Sequence, residues 1–248
     1  MNHTFRKRWG QNFLQDPNII SKILESSNAR HEDVFVEIGA GSGALTFRLA
    51  EMVKKVYAIE IDPELIPGLK SQAAANTEIL HEDFLKTDLT LFGDRIKFIG
   101  NLPYYITTPI IFKVLSVNNW LSSLFMVQRE VAERICSKPG NKIYGRLSVM
   151  LQAMAQVEKL FDIPPTVFYP KPDVHSTVIK LTPANRSIND WDLFSKMVKQ
   201  AFSQRRKKLR NTISEYLLGD SRTLYEEKRP ETLSVEDFIL ISNTCAEV

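Results

Sequence analysis

Asp33-Val34-Phe35-Val36-Glu37-Ile38, a short run of strand-forming residues, leads directly into Gly39-Ala40-Gly41-Ser42-Gly43. Ala44 to Val53 then reads as a helix, with apolar side chains at Leu45, Leu49, Met52 and Val53. No other feature constrains the fold as tightly. A strand that ends in a glycine turn and feeds a helix lets backbone approach a ligand at a helix N-terminus. Gly39, Gly41 and Ala44 fit the GxGxxG/A spacing. Glu60, at the end of the following strand, is placed to grip a ribose. Dinucleotides and S-adenosylmethionine share this geometry. Glu37, just before the first glycine, would repel a pyrophosphate but suits a cofactor that carries a sulfonium and an ammonium.

Strands alternate with helices beyond this unit. Val56–Ile61 reads as a strand, with Pro63 opening a helix behind it. Ile79–His81, Ile96–Gly100 and Leu124–Val127 read as further strands, the last followed by a helix from Arg129. That alternation predicts a mostly parallel sheet covered on both faces. Val157–Ile163 and Val174–Leu181 predict an antiparallel hairpin at the sheet edge. Between them, Pro164–Pro172 is a stiff proline-rich loop able to hold a side chain in place. After Pro183 no strand pattern remains. Phe194, Met197, Val198, Ala201, Phe202 and Leu209 mark the apolar face of a helix. The expected organisation is a Rossmann-like α/β domain over residues 1–185 and a small all-helical domain over 186–248.

Composition excludes several classes. At 44% hydrophobic and 25% charged residues, the 248-residue chain matches a soluble globular protein. No apolar run is long enough to span a bilayer, and no apolar stretch follows the basic N-terminus, so neither a membrane span nor a secretory signal is read. Cys136 and Cys245 are far apart, which fits a reducing cytosol and gives no disulfide frame. The four histidines show no metal-ligand spacing, so no metal is expected. The net charge of +3 says little. Its distribution says more: Leu193–Ser214 contains no acidic residue but holds Arg205, Arg206, Lys207, Lys208 and Arg210, and Arg6-Lys7-Arg8 opens the chain. Such blocks attract phosphate, although either alone also reads as a solvated face.

Two further positions carry chemistry. Asp83 follows the third strand, where a carboxylate can accept from the exocyclic amine of a bound adenine, with Phe84 packing on the ring. Alone, Asp83 equally reads as a helix cap. Asn101-Leu102-Pro103-Tyr104 ends the fourth strand, where α/β sheets place active sites. These residue types suit one task, alkylation of an aromatic amine such as adenine N6, whose lone pair is delocalised. The Asn101 side chain and the Leu102 carbonyl supply two acceptors for the N6 hydrogens and favour a pyramidal nitrogen. Pro103 stiffens the turn. Tyr104 offers a flat face for a base, worth about 1–3 kcal/mol by analogy with single-strand binders. A sulfonium donor is already activated, so positioning matters more than a strong base.

The chain resembles the KsgA-type small-subunit rRNA adenine dimethyltransferases, whose sister families are the Erm enzymes and the mitochondrial transcription factor B proteins. The resemblance is carried by Lys7–Leu14 (KRWGQNFL), Glu37–Gly41, Gly100–Tyr104, Tyr144–Val149 (YGRLSV), the Pro164–Pro172 loop and Phe202–Asn211 (FSQRRKKLRN). It implies the class I methyltransferase fold and S-adenosyl-L-methionine as cofactor. Asn12 and Leu14 would touch the methionine end, Gly39 and Gly41 would line the cofactor, Glu60 would hold the ribose, and Asp83 the adenine amine. Asn101 would serve both the cofactor and the target amine. Phe168 would be a second stacking residue opposite Tyr104, although on its own it reads as a core aromatic. The implied substrate is a pair of adjacent adenosines in a hairpin loop near the 3′ end of 16S rRNA, each dimethylated during small-subunit biogenesis in the cytoplasm by a monomeric enzyme. Gly39-Ala40-Gly41 departs from the Gly-Pro-Gly of many relatives.

Three other readings compete. An Erm-type enzyme would do the same chemistry on 23S rRNA. A non-catalytic RNA-binding assembly factor would keep the fold, but the set Glu37, Glu60, Asp83, Asn101 and Tyr104 argues against lost catalysis. A nicotinamide-dependent oxidoreductase leaves Asn101–Tyr104 and the basic block unexplained.

Overall fold

The computed structural model of the chain describes residues 12–246. In order these are β1 (Phe13–Leu14), α1 (Pro17–Ser26), β2 (Val34–Ile38), α2 (Thr46–Ala50), β3 (Lys55–Glu60), α3 (Ile66–Gln72), β4 (Thr77–His81), β5 (Ile96–Asn101) and α4 (Thr107–Leu115). There follow β6 (Ser122–Gln128), α5 (Arg129–Ile135), α6 (Arg146–Met154), β7 (Ala155–Ile163), β8 (Phe168–Tyr169), β9 (Ser176–Pro183), α7 (Trp191–Ser203), α8 (Asp220–Tyr225) and α9 (Val235–Ala246).

Seven strands form one sheet in the order β4-β3-β2-β5-β6-β9-β7. The pairs β3–β4, β2–β3, β2–β5 and β5–β6 are parallel, and β9 is antiparallel to β6. Strands β2, β5 and β6 are buried along nearly their whole length, as continuous apolar runs covered on both faces must be. Strand order reverses at β2: β3 and β4 are added outward on one side of it, and the chain then returns to lay β5 and β6 on the other. That switch point leaves a crevice at the carboxyl ends of the strands. At the other end of the sheet, buried Lys97 donates to Asp33 at 2.6 Å and to the Asn28 carbonyl at 2.9 Å. This satisfied ion pair ties the start of β5 to the start of β2.

Several details differ from the sequence reading. The helix expected over 44–53 is confined to Thr46–Ala50, because Gly43 takes a φ of +87° and delays the start. Pro63 lies in a turn, and Pro67 occupies the first turn of α3 instead. In the expected edge hairpin, the later strand β9 lies inside and β7 takes the edge. Asp162, near the end of β7, accepts from Thr177, near the start of β9, at 2.6 Å. The proline-rich loop contains β8, which pairs with β1 in antiparallel register, Leu14 opposite Phe168 and Phe13 opposite Tyr169.

The chain divides into two units. The first holds the chain up to Ala132 together with Glu158–Pro183, and the second holds Glu133–Val157 together with the chain from Ala184. The division after Pro183 lies close to the boundary expected at 185, but Glu133–Val157 also joins the later unit. There, Phe194, Met197, Val198 and Ala201 form the buried face of α7. Leu209, expected on that helix, is buried in a separate turn beyond its end. Phe202 packs against Tyr144, edge to face with ring centroids 6.3 Å apart, and against Phe238.

Candidate active site

The crevice at the switch point is an open cleft of about 1040 Å³, solvent at its mouth included. The glycine turn forms one wall. Gly39 and Gly41 have φ of +73° and +59°, left-handed conformations that cost glycine little. A Cβ on Gly41 would sit 3.0 Å from the Phe13 ring, so side-chain bulk there would close the cleft on β1. Gly100, in β5, has an ordinary φ but is confined differently: a Cβ there would lie 2.5 Å from the Ile38 carbonyl oxygen of the neighbouring strand.

Two buried carboxyls face this wall. Glu60 accepts from Gly41 N and from Asp62 N, each at 2.8 Å, and so clamps the glycine turn to the end of β3. A carboxylate has about four acceptor positions, so capacity remains for ribose hydroxyls. Glu37 is only 2% exposed and accepts a short hydrogen bond from Thr46 at the start of α2. Burial pushes its carboxyl up to about 8, the Thr46 bond opposes this, and the negative Glu60 adds to it. An apolar pocket that holds such a group favours a cationic ligand, which would restore the charge. Glu60 is raised for the same first reason, burial. These features fit the implied cofactor: a glycine cradle, a ribose-facing carboxylate and an acid placed for a sulfonium or ammonium.

Asp83 and Phe84 also line the cleft. One Asp83 oxygen accepts from Leu85 N at 3.0 Å, and its carbonyl accepts from Lys86 N and Thr87 N. The cap-like and ligand-facing readings thus coexist, because the second carboxylate oxygen is not used in the cap. Phe84 is buried, with the Lys113 ammonium 5.4 Å from its ring centroid.

Asn101 ends β5 at the cleft, and its Nδ2 donates to the Asn12 carbonyl at 2.7 Å. A carbonyl only accepts, so this contact fixes the orientation of the carboxamide and leaves Oδ1 as its acceptor end. Leu102 N is held by Met126 O at 3.0 Å, and Pro103 O receives Ile106 N and the Thr107 hydroxyl. The Leu102 carbonyl is therefore presented from a rigid turn. Tyr104 lines the cleft, its hydroxyl 2.9 Å from the Oγ of buried Ser176. Burial raises the Tyr104 hydroxyl above the ordinary phenol range, so it stays protonated at neutral pH.

The cleft brings together Asn12, Leu14, Gly39, Gly41, Glu60, Asp83, Phe84 and Asn101–Tyr104. Phe168 is not among its lining residues. It is 4% exposed and packs in the apolar cluster with Leu14. Phe168 is joined to the cleft wall through the β1–β8 pairing, opposite Leu14. Among the residues that sequence reading missed, three bear on the site. Phe13 and Tyr105 line the cleft, and Ser176 holds Tyr104. Phe13 and Tyr105 adjoin recognised motif positions, whereas Ser176 gives no signal in sequence.

The basic block divides. Arg205 pairs with Glu231 at 2.6 Å, and Lys208 and Arg210 both pair with Glu227. Arg206 and Lys207 are exposed without an ion pair among the described residues. Arg6, Lys7 and Arg8 lie outside the described residues. Among the described residues no cluster of His, Cys, Asp or Glu is arranged to hold a metal ion, and no helix is long and apolar enough to cross a membrane.

The sheet order, the glycine turn and the cleft define a class I methyltransferase, and the known proteins agree. A dimethyladenosine transferase from Plasmodium falciparum superposes with a TM-score of 0.85 at 26% identity, covering 95% of this chain and 98% of that one. Residues 2–247 match the family model described as ribosomal RNA adenine dimethylase, and the chain belongs to that family. Relatives named Ribosomal RNA small subunit methyltransferase A include one from Nitrosospira multiformis, 39% identical over 98% of this chain and 97% of its own length. Another, from Caldanaerobacter subterraneus, is 41% identical over 96% of each.

Proposed function

We propose that this enzyme transfers methyl groups from S-adenosyl-L-methionine to N6 of two adjacent adenosines in a hairpin loop near the 3′ end of 16S rRNA, leaving N6,N6-dimethyladenosines. The observation that carries the reading is the fixed Asn101 carboxamide, whose nitrogen is bound to Asn12 O and whose oxygen is the end left for a target amine. Full-length similarity to small-subunit methyltransferases favours this RNA over the 23S RNA of Erm-type enzymes.

The bound cofactor supplies an activated methyl group. The chain supplies position. Glu60 accepts the ribose hydroxyls, Asp83 the adenine amine, and Glu37 faces the cationic end. Asn101 Oδ1 and the Leu102 carbonyl accept the two N6 hydrogens of the target and turn its lone pair toward the methyl group. Tyr104 stacks on the target base, its tilt set by Ser176. Bases in a loop are extruded more cheaply than paired ones. Attack makes N6 cationic, and its surplus proton is then acidic enough to leave without a strong base. Arg206 and Lys207, with Arg6, Lys7 and Arg8, contact RNA phosphates.

The test is transfer of labelled methyl groups to small ribosomal subunits that lack the dimethyladenosines, with large subunits in parallel. Label in the small subunit alone supports the reading. Label only in the large subunit favours the Erm-type alternative.

A further inference from the structure

Two sets of cations in the second unit stand close to the basic block and to the 138–146 loop. Arg205, Lys208 and Arg210 are held by acids of their own unit. Arg206, Lys207, Lys138, Lys142 and Arg146 are exposed, with no ion pair among the described residues. The last three lie on or beside a loop some sixty residues earlier in the chain, at the head of the Tyr144–Val149 motif, which the cleft does not use. The two sets are physically connected. Arg205 donates through Nε to Glu231 at 2.6 Å and through Nη2 to the Asn141 carbonyl at 3.2 Å. Gly140 N donates to the Glu231 carbonyl at 2.7 Å. Arg205 and Glu231 thus clasp the tip of the 138–146 loop beside the turn that carries Arg206 and Lys207.

The loop is shaped from within as well. The Asn141 side chain accepts from Ile143 N, its carbonyl accepts from Tyr144 N, and Tyr144 buries its ring against Phe202, just ahead of the basic turn. Ile143 is left 42% exposed, an apolar residue among cations. A preshaped concentration of exposed, unpaired cations next to one apolar side chain suits an RNA strand, where phosphates meet the charges and a sugar or base covers the apolar residue.

We infer that the 138–146 loop is part of the RNA-binding surface, with Lys142 and Arg146 on phosphates of the ribosomal RNA, and that Arg205 is a positioning residue that holds this loop beside Arg206 and Lys207. The inference rests on the proposed RNA substrate. It differs from a simple reading of the basic block, in which Arg205 itself meets phosphate.

The test measures binding to small ribosomal subunits lacking the dimethyladenosines, across a salt series, with a cooperative melting transition required of every variant. Lys142→Ala/Arg146→Ala should weaken binding roughly ten-fold and flatten the log–log salt slope by about 1.5, the release expected from two phosphates. Glu231→Gln gives the sharper answer. It removes a negative charge, so if Arg205 were a phosphate contact the variant would bind more tightly. With Arg205 as a clasp it binds several-fold more weakly, despite the added net positive charge. Unchanged binding by Lys142→Ala/Arg146→Ala, or tighter binding by Glu231→Gln, overturns the inference. If Arg206→Ala/Lys207→Ala still weakens binding in that case, the RNA reading stands without this loop. If that variant also binds normally and the salt response is flat, the RNA reading falls with it.

Discussion

Asn101 Nδ2 lies 2.7 Å from the carbonyl oxygen of Asn12, so the side chain proposed to carry the chemistry is oriented by backbone just ahead of β1. Asn101→Asp separates orientation from simple acceptor strength. Aspartate keeps an oxygen acceptor but, ionised, has no donor for the Asn12 carbonyl. Turnover should fall about 100-fold or more, within the range for loss of one preorganised polar group. Steady-state kinetics near neutral pH check this. An aspartate variant as active as wild type would show that the amide orientation is immaterial.

The Tyr104–Ser176 contact predicts an ordering of variants. Tyr104→Phe keeps the ring and should stay within several-fold of wild-type kcat/KM, although it leaves the buried Ser176 hydroxyl unpartnered. Tyr104→Ala removes the stacking face, worth about 1–3 kcal/mol, or roughly 5- to 150-fold. Ser176→Ala should lie between them, since the ring remains but its tilt is no longer fixed. Equal rates for Tyr104→Phe and Tyr104→Ala would remove stacking from the account.

Glu37 makes stability and cofactor affinity depend on pH. Its carboxyl is raised from 4.5 to about 8 in the folded chain, chiefly by burial. Between those values the unfolded chain has released the proton and the folded chain has kept it. The group's contribution to stability is therefore full below about 4.5 and is lost as pH rises toward 8. A cationic ligand favours the ionised form, so S-adenosylmethionine binding should release a proton below pH 8 and tighten as pH rises. Melting curves and calorimetry in buffers of different ionisation enthalpy read both effects. In Glu37→Gln both should shrink, leaving the smaller slope due to Glu60. Identical pH profiles for the two proteins would contradict this.

Phe168 separates a packing role from the stacking role that the resemblance implies. As a buried member of the apolar cluster, its replacement by alanine should cost about 3–5 kcal/mol of stability. Chemical denaturation measures it. A variant of unchanged stability with sharply reduced kcat/KM would return Phe168 to the target base.

The switch-point strands and the glycine turn are legible in sequence because burial on both faces leaves long apolar runs and because left-handed φ selects glycine. Asn101–Tyr104 is legible because its residue types meet the demands of one reaction. What sequence conceals is pairing between distant, locally featureless residues. Strands β1 and β8 have two residues each, too few to show a period, and only their pairing places Phe168 in the core. Ser176 meets Tyr104 across 72 positions. Arg205, Lys208 and Arg210 read as one run with Arg206 and Lys207 because Glu227 and Glu231, their partners, come later in the chain.

The most direct measurement is nucleoside analysis of small-subunit RNA after reaction with S-adenosylmethionine and either the wild-type protein or Asn101→Ala. The account predicts N6,N6-dimethyladenosine from the wild type. It predicts almost none from the variant, whose affinity for the subunit is little changed. Dimethyladenosine formed at an undiminished rate by the variant, or methyl groups found on another nucleoside, would contradict it.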